Sequence, residues 1–290
     1  MIDRLVLGTV QFGLPYGVAN QGGQVGRDEA AAILQHARAA GVHVLDTAIA
    51  YGDSEQRLGK IGIEAWQVIS KLPAIPDDCT DVSGWVRQAV LASLQRLRIP
   101  KLHGLLLHRP QQLLGPQGDA LYRALVELKA EGKVDGIGVS IYGPEELDAL
   151  LPRYPLDVVQ APFNILDRRL ATSGWLARLN RAGAEVHVRS VFLQGLLLMG
   201  RESRPKYFGR WDTLWNQWHQ WLDARQLSPL QACLGFVLSE SGIDRVVVGV
   251  DSRRHLQEIL ALMRAPPVSA PATLVSDDLD LINPSRWSLN

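Results

Sequence analysis

Cysteine is nearly absent from this sequence: two in 290 residues, Cys79 and Cys233, far apart and without metal-ligand spacing around either. That excludes a disulfide framework and a cysteine-rich metal module. Net charge is absent as well, with Lys+Arg and Asp+Glu at 30 each. No bulk field therefore points to nucleic acid or an anionic membrane, and any anion site has to be local. Long apolar runs are missing: Leu102–Leu107 and Arg245–Val250 fall far short of the roughly 20 residues that span a bilayer. The start, Met1-Ile2-Asp3-Arg4-Leu5, lacks the apolar stretch of a secretory signal. These absences lead to the expectation of a cytoplasmic protein with no membrane or nucleic-acid partner. Also missing is a GxGxxG after the first strand; Gly136-Ile137-Gly138 lies inside a strand and has no third glycine.

What is present is alternation. The composition, 47% hydrophobic and 21% charged, is that of an ordinary globular chain. Short apolar runs predict strands at Leu5–Val10, Val42–Asp46, Trp66–Ser70, Leu102–Leu107, Val134–Val139, Leu156–Gln160, Glu185–Ser190 and Arg245–Val250. Amphipathic stretches predict helices at Arg27–Ala40, Ser54–Gly59, Val82–Leu97, Asp119–Ala130, Pro144–Leu151, Arg168–Arg181, Leu230–Ser239 and Ser252–Met263. Strands that are apolar without alternation suit a parallel sheet covered on its outer face and packed within. Regular β-then-α repetition over this length predicts a (β/α)8 TIM barrel, α/β in class, as a single domain over residues 1–290. Two segments interrupt the rhythm. A Trp-rich insertion after strand seven carries Trp211, Trp215, Trp218 and Trp221 at near-helical spacing, preceded by the basic, turn-rich Arg201–Gly209, a candidate lid. A Pro-containing C-terminal tail follows Met263.

Barrel enzymes place chemistry at the C-terminal ends of their strands. Those ends carry Asp46 with Tyr51 just beyond, Lys71, and His108. Each alone has an ordinary reading: a helix cap, a rim aromatic, a solvated amine, a satisfied imidazole. Together they form a proton-transfer device. An ammonium within hydrogen-bond reach is expected to lower a phenol's pKa, a carboxylate behind it holds the ammonium, and an imidazole orients a carbonyl oxygen.

At these positions the sequence resembles the aldo-keto reductase superfamily, in a bacterial member. The resemblance rests on Leu7-Gly8-Thr9-Val10-Gln11-Phe12-Gly13, on Leu45-Asp46-Thr47-Ala48 followed by Tyr51-Gly52 and Glu55, and on Ser70-Lys71 and Leu107-His108. It continues through Gly132-Lys133-Val134 to Gly138-Val139-Ser140, through Val159-Gln160-Ala161-Pro162-Phe163-Asn164, and into the tail at Leu281–Trp287. It implies a catalytic tetrad of Asp46, Tyr51, Lys71 and His108. Tyr51 would act as general acid in reducing an aldehyde or ketone, sugar-like among the options, to an alcohol with NAD(P)H. It further implies that Ser140 and Gln160 bond the carboxamide, and that Gly8, Thr9 and Asp46 border nicotinamide and ribose. Arg189, Ser190, Phe192, Gln194 and Gly195 would wrap the pyrophosphate. Gly249, Val250, Asp251, Ser252, Arg253, His255 and Glu258 would hold the adenosine end.

Departures from the pattern matter. Ile141 replaces a frequent Asn, Arg189 replaces a frequent stacking aromatic, and Gly249 replaces a lysine common in NADPH users. Asp251 would repel a 2′-phosphate, whereas Arg253, Arg254 and His255 would attract one. On balance the resemblance implies NADPH, with NADH as the alternative. A non-catalytic cofactor-binding sensor barrel is the competing function, and a phosphate-binding lyase or isomerase barrel leaves the tetrad without a role. The expected partner is a small carbonyl substrate, with selectivity set by Leu14–Gln24, Leu113–Gly118, Arg201–Gly209 and the tail. No metal site and no oligomeric state follow from the sequence.

Overall fold

The computed structural model describes residues 1–289. Eight strands close a parallel barrel in sequence order: β1 (Leu5–Gly8), β2 (Val44–Asp46), β3 (Gln67–Leu72), β4 (Leu102–Leu107), β5 (Val134–Ser140), β6 (Val158–Pro162), β7 (Glu185–Arg189) and β8 (Arg245–Gly249). The helices are α1 (Val10–Gly13), α2 (Arg27–Ala39), α3 (Ser54–Ile61), α4 (Val82–Leu97), α5 (Gly118–Ala130), α6 (Glu146–Leu150), α7 (Arg169–Thr172), α8 (Trp175–Ala182), α9 (Asp212–Arg225), α10 (Pro229–Ser239), α11 (Arg253–Leu262) and α12 (Leu279–Ile282). The expected (β/α)8 architecture is the one found. Among the described residues no helix is long and apolar enough to cross a membrane.

Strand periodicity of two explains how the interior is divided. Odd positions such as Leu5 and Leu7 join the large core between strands and helices. Val6, Val44, Ile69, Leu106, Val158 and Val247 form a separate cluster inside the barrel. Two residues further along each of these strands, on the same inward face, stand Gly8, Asp46, Lys71, His108, Gln160 and Gly249. An apolar floor thus lies directly beneath a polar layer. The strands crowd at Gly138, where an added Cβ would lie 1.9 Å from the Val158 carbonyl oxygen. No larger residue fits there.

Closure joins the first strand to the last. β1 pairs with β8 from Leu5↔Val246 to Gly8↔Gly249. Arg4 donates to the carbonyls of Leu238 (3.0 Å), Glu240 (3.0 Å) and Ile243 (2.8 Å), binding the first strand to the end of α10 and the turn after it.

Three expected elements need correction. Val10 opens α1 rather than ending β1, because the chain turns at Thr9 to send the following loop over the barrel mouth. The helix expected over Arg168–Arg181 is two, α7 and α8, divided at Gly174, whose φ of +80° lies in the left-handed region and interrupts the helix. Arg201–Gly209 is tied down rather than built as a free flap. Phe208 is buried, the Tyr207 hydroxyl donates to the Asp280 carbonyl (2.9 Å), and Trp287 meets Phe208 edge-on at 4.8 Å. Three of the four tryptophans share a packed helix, α9, with Trp215 and Trp218 buried, whereas Trp211 ends the turn before it; Trp215 Nε1 donates to the Phe208 carbonyl (2.9 Å).

Candidate active site

Tyr51 stands on the short connection between β2 and α3. The bend is set by Tyr51 N–H donating to the Ala48 carbonyl (3.0 Å) and Ser54 N–H donating to the Tyr51 carbonyl (3.0 Å). α1 backs it so closely that a Cβ on Gly13 would lie 1.8 Å from the Tyr51 carbonyl oxygen. Beneath, the Ser54 hydroxyl donates to the Thr9 carbonyl (2.9 Å), and the Thr9 hydroxyl donates to the Asp46 carbonyl (3.0 Å). Glu55 of the same motif is structural. It is buried and accepts from Ser70 Oγ (2.7 Å), Ser93 Oγ (2.6 Å) and Arg96 Nε (2.8 Å), tying α3 to β3 and α4.

Lys71, 1% exposed, donates from Nζ to Asp46 Oδ1 (2.5 Å) and to the Thr47 carbonyl (3.0 Å). Its ammonium sits 5.1 Å from the centre of the Tyr51 ring. Tyr51 and His108 meet edge-to-face, centroids 5.9 Å apart. The four residues named from the sequence therefore converge. The electrostatics, however, differ from expectation. Burial and then the Asp46 charge push the Tyr51 phenol above its ordinary value, with Arg189 pulling the other way. Among the described residues no hydrogen bond joins Lys71 to the Tyr51 hydroxyl; two of its three donors go to Asp46 and Thr47. Burial likewise draws Lys71 below the usual amine range, opposed by Asp46. His108 falls to about 4, chiefly by burial and next by the charges of Lys71 and Arg189. At neutral pH the layer thus holds a protonated phenol and a neutral imidazole.

Above this layer opens a cleft of about 670 Å³. Of the residues named from the sequence, Gly8, Thr9, Asp46, Tyr51, His108, Ser140, Arg189, Ser190, Phe192, Gln194, Gly195, Gly249, Val250, Asp251, His255 and Glu258 line it. Lys71 lies behind Asp46. Three others do not line it. Gln160, 0% exposed, donates from Nε2 to Asp46 Oδ2 (2.7 Å) and accepts from Ser140 Oγ (3.3 Å), so its amide supports the carboxylate. Ser252 caps α11, accepting from His255 N–H (3.2 Å). Arg253 is exposed, and its backbone N–H donates to Glu29 Oε1 on α2.

Sequence reasoning missed Tyr142 and Ser228–Leu230 as lining residues, and Tyr16 and Asn20 within a loop it had named. No motif marks them; the only signal was the length of the loop after β1. That loop reaches across the mouth: Gln194 Nε2 donates to Tyr16 Oη (3.2 Å), and Asn20 Nδ2 approaches Asp251 Oδ1 (3.4 Å). Of the segments expected to set selectivity, Leu14–Gln24 borders the cleft, whereas Leu113–Gly118, Arg201–Gly209 and the tail do not.

The cleft is lined from Tyr51 and His108 to Asp251, His255 and Glu258, past the turn after β7. The turn after β7 holds Ser190, Leu193 and Gln194 at φ of +62°, +47° and +55°, followed by Gly195 at +88°. Non-glycine residues in the left-handed region cost energy and gather where a binding surface is pre-formed. A Cβ on Gly195 would come within 2.7 Å of the Ala19 side chain, and one on Gly249 within 2.4 Å of the Gln11 amide. These glycines keep the passage open. The residues present fit a nicotinamide dinucleotide.

The family model for the aldo/keto reductase family matches residues 4–271. The NADH-specific methylglyoxal reductase of Escherichia coli (strain K12) is 25% identical, covering 95% of this chain and 94% of that protein. The D-threo-aldose 1-dehydrogenase of a Pseudomonas species is 28% identical over 70% of this chain and 74% of its own. Among solved structures, the holo form of an aldo-keto reductase from Bacillus halodurans matches with a TM-score of 0.73 at 21% identity, covering 92% of this chain and 88% of that one. A glycerol dehydrogenase from Gluconobacter oxydans gives 0.70 at 21% identity, covering 91% and 88%. At such identity the structural likeness speaks to the fold alone.

Proposed function

Because the chain belongs to the aldo/keto reductase family, an oxidoreductase family, we propose that it interconverts a small aldehyde or ketone and its alcohol with a nicotinamide cofactor. The observation that carries this reading is the convergence of a protonated phenol, a neutral imidazole and a buried Lys–Asp pair at the floor of one cleft. A reduced nicotinamide bound in the cleft would supply the hydride. Tyr51 releases its proton to the carbonyl oxygen, and Lys71 beneath the ring stabilises the phenolate left behind. His108, neutral, donates a hydrogen bond that fixes the oxygen beside the phenol. Asp46, held by Gln160 and Thr9, keeps the ammonium in place. The two relatives named above, a methylglyoxal reductase and an aldose dehydrogenase, support a small carbonyl substrate. The decisive experiment is cofactor oxidation with simple aldehydes, abolished by Tyr51→Phe.

His108 sets the acid limit. With its pKa drawn down to about 4, it stays neutral above that pH, and reduction should show no inflection near an ordinary imidazole value. Activity should fall as pH drops through about 4, when His108 becomes a further cation in the field of Lys71 and Arg189. A kcat/KM profile of the native enzyme checks this. A break near 6.5 that disappears in His108→Gln would contradict the neutral-imidazole reading.

For the cofactor we favour NADH over the NADPH implied by the resemblance. At the far end of the cleft stands the Asp251 carboxylate, with no cation within 4.0 Å among the described residues, beside His255 and Glu258; Arg254 is engaged with Glu258 (Nε to Oε1 3.6 Å), and Arg253 is exposed outside the cleft. A carboxylate there accepts from a 2′-hydroxyl and repels a 2′-phosphate. Fluorescence titration should show tighter binding of NADH. Asp251→Ser should narrow the preference by roughly tenfold, the worth of one charge-assisted bond. Tighter binding of NADPH by the native protein would reverse the assignment.

A further inference from the structure

Arg189 carries a charge that the proposed reaction leaves unused. It ends β7 and lines the cleft half-buried, and among the described residues no carboxylate lies within 4.0 Å of its guanidinium. Asp46, the acid nearest the reacting layer, is committed to Lys71 and Gln160. With that pair neutral overall and His108 uncharged, Arg189 adds an uncompensated positive charge at this end of the cleft, and Arg109 is a further cation felt at His108. Half-burying a cation without a counter-ion is costly, and the cost is recovered when an anion arrives.

The side chain is also held in a fixed pose. Nη2 donates to the Ile141 carbonyl (2.9 Å) and Nη1 to Ser190 Oγ (3.2 Å), while the guanidinium lies over the Tyr142 ring, 4.9 Å from its centre. These contacts take two of the five N–H donors that a guanidinium offers. The direction matters. Ile141 follows β5, so Arg189 reaches back across β6 towards β4 and His108. The turn at Leu193–Gly195, which meets Tyr16 and Ala19 of the loop after β1, and the Asp251 end beside β8 lie the other way round the barrel. Its charge is felt at Tyr51, His108 and Lys71.

We propose that Arg189 anchors an anionic group, carboxylate or phosphate, on the carbonyl substrate, so that the enzyme selects acidic aldehydes or ketones over neutral ones. The proposal rests on the carbonyl-reducing reading above. A planar guanidinium suits either anion bidentately, which a stacking aromatic at the same position would not.

The test compares matched pairs at constant cofactor: succinic semialdehyde against butanal, and D-glyceraldehyde 3-phosphate against D-glyceraldehyde. The native enzyme should favour at least one anionic member by about tenfold or more in kcat/KM, mainly through KM, as expected for one charge-assisted contact. The two pairs separate carboxylate from phosphate. Arg189→Gln should bring the ratio within each pair close to one, and Arg189→Lys should retain part of it. A general disturbance of the site would lower both members alike and leave the ratio unmoved. Calorimetric titration of the cofactor-loaded protein with succinate and with inorganic phosphate provides a second readout independent of turnover. Binding to the native protein that Arg189→Gln abolishes supports the anchor even if no aldehyde is reduced, in which case only the reaction reading fails. Equal turnover within both pairs by the native enzyme would overturn the proposal. So would an Arg189→Gln variant whose selectivity is intact but whose cofactor affinity has dropped.

Discussion

Tyr51→Phe is expected to remove carbonyl reduction while leaving cofactor affinity and stability nearly unchanged. Among the described residues the Tyr51 hydroxyl makes no hydrogen bond to the protein, whereas the ring packs over Lys71 and against His108. Phenylalanine preserves that packing and orphans no partner, so the fold loses little. What is lost is the proton that burial keeps on the oxygen at neutral pH. Removing one general acid costs at least about a hundredfold in rate. The measurement is single-turnover cofactor oxidation beside a thermal melt and a cofactor titration. Turnover close to the native level would remove Tyr51 from the reaction.

Lys71→Met should act on stability as well as rate. The ammonium and the Asp46 carboxylate are 1% and 5% exposed and 2.5 Å apart. Taking away one member leaves a buried charge with only Gln160 to support it, a loss of about 3–5 kcal/mol. Removing both, in Asp46→Leu/Lys71→Met, should restore much of that stability, because an apolar pair carries no desolvation cost. Both variants should be inactive. Denaturant unfolding of the two singles and the double gives the coupling directly. If Lys71→Met unfolds at the native midpoint, the buried pair is not the constraint on Asp46 that its geometry suggests.

The barrel was legible because buried parallel strands are written as unbroken apolar runs, and all eight lie within two residues of where those runs predict them at each end. Leu5–Val10 misled because Val10 is apolar for a different reason: α1 turns it back over the barrel mouth. Arg168–Arg181 misled because its helical spacing continues through Gly174, and only the left-handed backbone there shows the break. The polar layer was legible one residue at a time, since strand ends advertise Asp46, Lys71 and His108. Partner choice was not. Gln160 looked like a cofactor contact, yet its inward register puts the amide against Asp46. Arg253 looked like a phosphate ligand, but successive residues in a helix's first turn point about 100° apart, and His255 rather than Arg253 faces the cleft. Tyr16, Asn20 and Tyr142 come from irregular connections, where no periodicity tells a side chain which way to face.

The seam between β1 and β8 imposes an order of assembly. Arg4 must find carbonyls 234 to 239 positions away, and Leu5–Gly8 must wait for Arg245–Gly249. A chain emerging from the ribosome therefore carries its first strand unpaired on one flank until nearly all of it has been made. During that interval two open sheet edges, on β1 and on whichever strand came last, invite association with other chains. Contacts this distant in sequence form late and slowly. Premature termination anywhere before Gly249 should consequently yield insoluble fragments rather than a shorter working enzyme.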